Sequence, residues 1–144
     1  MSKTNNLMLI LSLAFFGFSK DLTQEKKEIK SIVQSFVKAG DSQNSQTLEE
    51  LLLPEYQIVM NQLFGSPTLS LMGKKAYLEN IRSGKFGGDQ RKIEFHQITV
   101  QGNSAFVQTT LKGKKMSFQS FLHLIKTKEQ KWKLLSDTPF VLVQ

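Results

Sequence analysis

Residues 91–143 read RKIEFHQITVQGNSAFVQTTLKGKKMSFQSFLHLIKTKEQKWKLLSDTPFVLV. Four runs rich in β-branched and aromatic residues are separated here by short polar turns. They cover residues 91–101, 104–112, 116–126 and 131–143. Gly102-Asn103 suits a two-residue turn that needs a positive φ. Gly113-Lys114-Lys115 and Lys128-Glu129-Gln130 mark the other two turns. An antiparallel meander follows, with Pro139 placing the last run on an edge or ending its central pairing early.

The chain upstream of the meander is helical. Ile29, Ile32, Val33, Phe36 and Val37 recur at i, i+3, i+4, i+7 and i+8, which predicts an amphipathic helix over residues 24–38. Asp21 or Thr23 can cap its start, and Gly40 lies just past its end. Thr47 with Glu50 three residues on forms a capping box for a short second helix carrying Leu48, Leu51 and Leu52, and Pro54 stops it. Residues 56–64 and 68–72 read as a strand, a Gly65-Ser66-Pro67 turn and a return strand. A third helix over residues 74–83 buries Tyr77, Leu78 and Ile81, and Gly84 closes it. The polar loop at residues 85–90, with Gly87-Gly88, is the expected flexible segment. Three helices followed by a meander predict an α+β domain, with the helices on the concave face of a cone-shaped, curved antiparallel sheet.

With 144 residues, 40% of them hydrophobic, the chain is one globular domain and not a disordered one. The absence of cysteine excludes disulfide scaffolds, thiolate metal sites and cysteine nucleophiles. Residues 1–19 have the pattern of a signal peptide: Lys3, then an apolar run from Leu7 to Phe18, then the small residues Gly17 and Ser19 near a cut. That run spans about 18 Å as a helix against the roughly 30 Å of a bilayer core, so no stable membrane span is expected. The expected mature domain is residues 20–144, with export to the periplasm or secretion predicted. Its excess of lysine and arginine over acid, +7 for the whole chain, collects at turns, including Lys74, Lys75, Arg91, Lys92, Lys114 and Lys115. That is a solvated rim, and no aromatic residues interleave with it to stack bases, so nucleic acid is not an expected partner.

The order of elements resembles the nuclear transport factor 2-like superfamily, in its lumazine-binding and SnoaL-like branch. The resemblance rests on Lys38-Ala39-Gly40-Asp41, Leu51-Leu52-Leu53-Pro54-Glu55-Tyr56, Met72-Gly73-Lys74-Lys75-Ala76-Tyr77-Leu78, Val100-Gln101-Gly102-Asn103-Ser104-Ala105 and Trp132-Lys133-Leu134. It implies a cone of sheet around a pocket and pairing of two copies through the outer face. The isomerases of the superfamily use a tyrosine on the first helix and an acid in the strand that here covers residues 104–112. This chain has Phe36 and no acid at those places. SnoaL-type cyclases use an acid on the last strand and a histidine on the one before, for which Asp137 and His123 are the counterparts. A two-residue turn near Lys128-Glu129 pairs Ile125 with Trp132 and sets the two on opposite faces, whereas a bulged turn restores them. Asp137 also reads as a turn residue within Ser136-Asp137-Thr138-Pro139.

The Gly102-Asn103 turn sets Val100 opposite Ala105, Ile98 opposite Val107 and His96 opposite Thr109, with a bulge near His96-Gln97. A three-residue turn at Gly113 adds Gln119, Phe121 and His123 to the inward face. The pocket formers are then Tyr56, Met60, Phe95, His96, Phe121 and Trp132, with Phe36 beside them. The outward face carries Phe95, Thr99, Phe106, Gln108, Thr110, Phe118, Ser120, Leu122 and Leu124, a greasy patch that predicts a homodimer. The two histidines lack the carboxylates of a metal site, and phosphate and dinucleotide loops are missing, so no metal or cofactor is expected. The reading favoured is an exported, non-catalytic domain with an aromatic-lined pocket for a small, partly apolar ligand. The alternatives are a cyclase- or isomerase-like enzyme using Asp137 and His123, and a module that only dimerises.

Overall fold

A computed structural model describes residues 11–142 of the chain, with side chains from Asp21 onward. The expected targeting segment at residues 1–19 lies outside the described side chains, and residues 1–10 lie outside the described structure altogether. Among the described residues, no helix is long and apolar enough to cross a membrane.

Helix α1, Leu11–Asp41, buries Ile29, Val33, Phe36 and Val37, the stripe set by its periodicity. It runs through Gly40, which is therefore not its terminating glycine; Gln43, at φ 56°, takes the left-handed position instead. Helix α2, Ser45–Leu51, begins one turn earlier than a Thr47 capping box implies, because the Asn44 side chain accepts from the Thr47 amide at 3.0 Å. Strand β1, Leu52–Asn61, follows at once and contains Pro54. The β1 register shifts between Leu52 and Gln57, so the missing proline N–H falls where no ladder bond is needed. After a 3₁₀ turn at Leu63–Gly65 come β2, Leu69–Gly73, and α3, Lys74–Arg82, which buries Tyr77, Leu78 and Ile81 as expected.

The meander is β3, Lys92–Gln101; β4, Ser104–Lys112; β5, Ser117–Lys126; and β6, Trp132–Leu142. With β1 and β2 it makes one curved, unclosed sheet of order β2-β1-β6-β5-β4-β3. All neighbours are antiparallel except β1 and β6. Those two are joined through α3 and the rest of the meander, the kind of long connection that parallel neighbours require. Pro139 sits in this interior strand: β1 leaves β6 after the Ile58–Asp137 pair, so nothing on that side lacks the proline N–H.

Hairpin length decides which residues face the helices. Val100 pairs with Ala105 and Ile98 with Val107, as the turn chemistry predicts, and a bulge falls between Phe95 and Gln97. The bulge puts Phe95 opposite Thr109 on the inner face, against its place in the outward list, and turns His96 outward, reversing the inward expectation for it. The β4–β5 loop holds four residues rather than three, because the Gly113 amide bonds Met116 and Lys112 pairs with Ser117. That single residue reverses β5. Phe118, Ser120, Leu122 and Leu124 face inward, while Gln119, Phe121 and His123 face out beside Gln108 and Phe106.

The loop at residues 85–90, expected to be flexible, is stitched down. Gly88 N donates to Asp41 O (2.9 Å), and Gln43 Nε2 donates to Phe86 O (3.1 Å). The Asp89 carboxylate accepts from the amides of Lys114, Lys115 and Met116 at 3.1, 2.9 and 3.4 Å. Those three bonds hold the Asp89 carboxyl below its ordinary range.

Candidate functional site

The inner face of the sheet, the C-terminal end of α1 and α3 enclose a cavity of about 380 Å³. Its apolar wall is Phe36 from α1, Ile58 and Met60 from β1, Phe86 from the stitched loop, and Met116 and Phe118 at the start of β5. Its polar end is Tyr77, Arg91, Ser120 and Asp137, with Lys85 and Lys115 also in the lining. Phe36, Tyr77 and Phe86 of this lining and Tyr56 behind it form a chain of ring contacts, with centroids 5.6–6.3 Å apart.

Asp137 is the chemical centre. β6 turns it inward opposite Leu122, beside Ile58 of β1, and its carboxyl is buried with Oδ1 unpaired among the described residues. Burial raises its pKa to about 7, against the opposing pull of Ser120 and Arg91. Tyr56 and Tyr77 are pushed above the ordinary tyrosine range, first by burial and then by Asp137, so both stay protonated. Tyr56 Oη is also buried without a hydrogen-bond partner among the described residues, and the Ser120 hydroxyl lies beside the Asp137 carboxyl. An acid that burial keeps protonated below about pH 7, the Tyr77 phenol and the Ser120 hydroxyl in this cavity make a donor-rich pole that an oxygen-bearing ligand satisfies.

The expected site residues scatter. Met60 lines the cavity, and Tyr56 lies behind it, its ring 5.6 Å from that of Tyr77. Phe95 packs into the core with Lys30 Nζ 5.1 Å from its ring centre, and Trp132 is buried near Lys126. His96 faces out and pairs with Thr110 Oγ1 at 2.7 Å, and Phe121 is exposed on the same outer face. His123 also faces out, stacked 4.3 Å from Phe106, its pKa lowered by partial burial. It pairs with Ser136, one position from Asp137, so the sheet stands between the imidazole and the carboxyl. The two cannot pass a proton between them, and the SnoaL-like pair is not assembled.

Sequence reading passed over Tyr77, Arg91 and Ser120. Tyr77 followed the helix periodicity and read as core, Arg91 read as a solvated rim charge, and Ser120 was placed on the outer face. Nothing local links Arg91 to Asp41, 50 residues away, yet Arg91 Nε donates to Asp41 Oδ1 at 2.6 Å. Among the described residues, no group of three or more histidine and acidic side chains is arranged to hold a metal ion.

Residues 24–138 match the family described as "Putative lumazine-binding". The chain belongs to this family. Solved structures described as NTF2-like share its fold. An NTF2-like protein of unknown function from Silicibacter pomeroyi is similar at 16% identity and a TM-score of 0.73, over 84% of this chain and 98% of that one. One from Shewanella baltica is similar at 16% identity and 0.73, over 85% and 97%. A ketosteroid isomerase-like protein from Erwinia carotovora atroseptica is similar at 15% identity and 0.64, over 82% and 96%. At such identities the likeness is one of fold. No curated protein matches the sequence. The description of the family points to small-molecule binding.

Proposed function

We propose that this lumazine-binding-like domain holds a small, partly apolar molecule in its cavity and does so without catalysing a reaction. The observation that carries this reading is an apolar cavity of about 380 Å³ that closes on the inward carboxyl of Asp137. His123 pairs with Ser136 and faces out, so the Asp137–His123 proton-transfer pair of the enzymatic reading is not brought together. A module that only dimerises has no use for an open, aromatic-lined cavity on its concave face, which weighs against that alternative.

We place the protein outside the cytoplasm, on the pattern of residues 1–19, with the mature chain beginning near Lys20. N-terminal sequencing of the soluble protein from its native source tests that placement: recovery of Met1 from the cytoplasm refutes it. Mass spectrometry of small molecules released from the same preparation tests the binding reading. A compound present in stoichiometric amount, and lost when Met60→Trp fills the cavity, supports it. An empty protein, with no compound from the native extract stabilising it to heat, refutes it.

A further inference from the structure

The polar end of the cavity has an unequal supply of donors and acceptors. Asp41 and Asp89 are the acids beside it, and the protein already uses both. Asp41 takes Nε and the backbone amide of Arg91, at 2.6 and 2.8 Å, and Asp89 takes three amides of the β4–β5 loop. Asp137 is the third acid, and burial keeps it neutral below about pH 7. The positive groups are less fully used. Arg91 gives its Nε edge to Asp41, while its terminal nitrogens have no hydrogen-bond partner among the described residues. Lys85 and Lys115 line the same cavity and add positive charge, Lys115 close enough to Asp89 to lower its pKa.

The place where these donors converge is kept open by a glycine. Gly40 lies inside α1, where alanine is the better helix former by roughly 1 kcal/mol. A Cβ at Gly40 would stand 3.5 Å from Arg91 Nη2 and 3.5 Å from Tyr77 Oη. Guanidinium and phenol therefore face one small gap, and Arg91 and Tyr77 both line the cavity. The Asp41 contact holds the guanidinium in position, with its outer edge toward the cavity. A planar fork of N–H donors matches a carboxylate, whose two oxygens accept in parallel. A neutral or cationic group placed there would leave a partly buried guanidinium edge unpaired.

Resting on the reading of the cavity as a ligand site, we infer that the ligand is a carboxylate, its oxygens held by the outer edge of Arg91 and the Tyr77 hydroxyl, and its apolar body lying against Phe36, Met60, Phe86 and Phe118. Protonated Asp137, facing Tyr56 and Ile58 of β1, Ser120 of β5, Tyr77 of α3 and Arg91, adds a donor to the same pole.

The test uses the whole mature protein loaded with the neutral fluorophore N-phenyl-1-naphthylamine, displaced at pH 6 by octanoate, 1-octanol or octylamine. Octanoate is expected to displace the dye at concentrations roughly tenfold lower than octanol, the scale of hydrogen bonds to a charged group. Gly40→Ala should fold, since 3.5 Å is an ordinary contact, and should bring octanoate to the level of octanol by filling the gap. Equal displacement by all three probes in the wild type overturns the carboxylate inference and leaves the cavity reading standing. A preference that survives Gly40→Ala undiminished overturns the assignment to Arg91 and Tyr77. Failure of the dye and of all three probes to bind overturns the ligand-site reading itself.

Discussion

Asp41 and Arg91 form the tie that closes one end of the cone: Oδ1 accepts from Nε at 2.6 Å and Oδ2 from the backbone amide at 2.8 Å. Both side chains are largely buried, at 10% and 19% exposure, so water cannot replace the partner that a mutation removes. Asp41→Ala leaves a partly buried guanidinium and an unpaired amide. It should lower the unfolding free energy by about 3 kcal/mol in urea titration. Asp41→Asn keeps one acceptor and should cost less. A loss below about 0.5 kcal/mol for the alanine variant would show that the pair is only a surface contact.

Asp137 makes stability depend on pH in a direction opposite to that of a paired carboxylate. Its pKa rises from 3.8 in the unfolded chain to about 7 in the fold. Between those values the folded state holds a proton that the unfolded state has released. Asp137 therefore stabilises most below pH 4, and its contribution falls as pH rises through 7, by about 1.4 kcal/mol per unit at most. Thermal melts from pH 5 to 8 should show a declining Tm in the wild type. In Asp137→Asn the decline should flatten, with the variant the more stable of the two at pH 8. Parallel curves for the two proteins would refute the assignment.

Gly87 is the point where the stitched loop crosses α1. Its φ is +83°, and a Cβ there would collide with the carbonyl oxygen of Gly40. Gly87→Ala should cost more than about 2 kcal/mol, from left-handed strain and steric overlap together. Gly65, at φ +77°, has nothing within 4 Å of its Cβ position, so Gly65→Ala should cost only the strain, about 1 kcal/mol. Equal losses in chemical denaturation would refute the collision.

The outer face of the sheet leaves Phe106, Phe121 and Phe140 exposed at 48%, 56% and 62%. We propose that a second copy covers them in solution, since water is a poor neighbour for three exposed rings on one face. Light scattering at micromolar concentration should give a dimer for the wild type and a monomer for Phe121→Lys, with the circular dichroism unchanged. A monomeric wild type refutes the pairing.

Much of the fold is local and was legible in the chain. The stripe from Ile29 to Val37 demands a helix, because only a 3.6-residue period puts those side chains on one face. Gly102-Asn103 demands a tight hairpin, and the pairing of Val100 with Ala105 follows from it. Met60 could be placed in the cavity because it lies on a predicted strand beside the helices. The inner and outer faces of β5 were not legible. They turn on whether the loop after Lys112 holds three residues or four, and turn chemistry at Gly113 is compatible with both.

Sequence alone thus determined the element order and the α+β architecture, since these rest on periodicities and turns within about a dozen residues. Tertiary structure alone decided the site. Asp41 meets Arg91 and Ile58 meets Asp137 only when α1, β1 and β6 close around the cavity. A carboxyl 79 residues from its strand neighbour Ile58 acquires its raised pKa from that burial, and no neighbour in the chain carries the information.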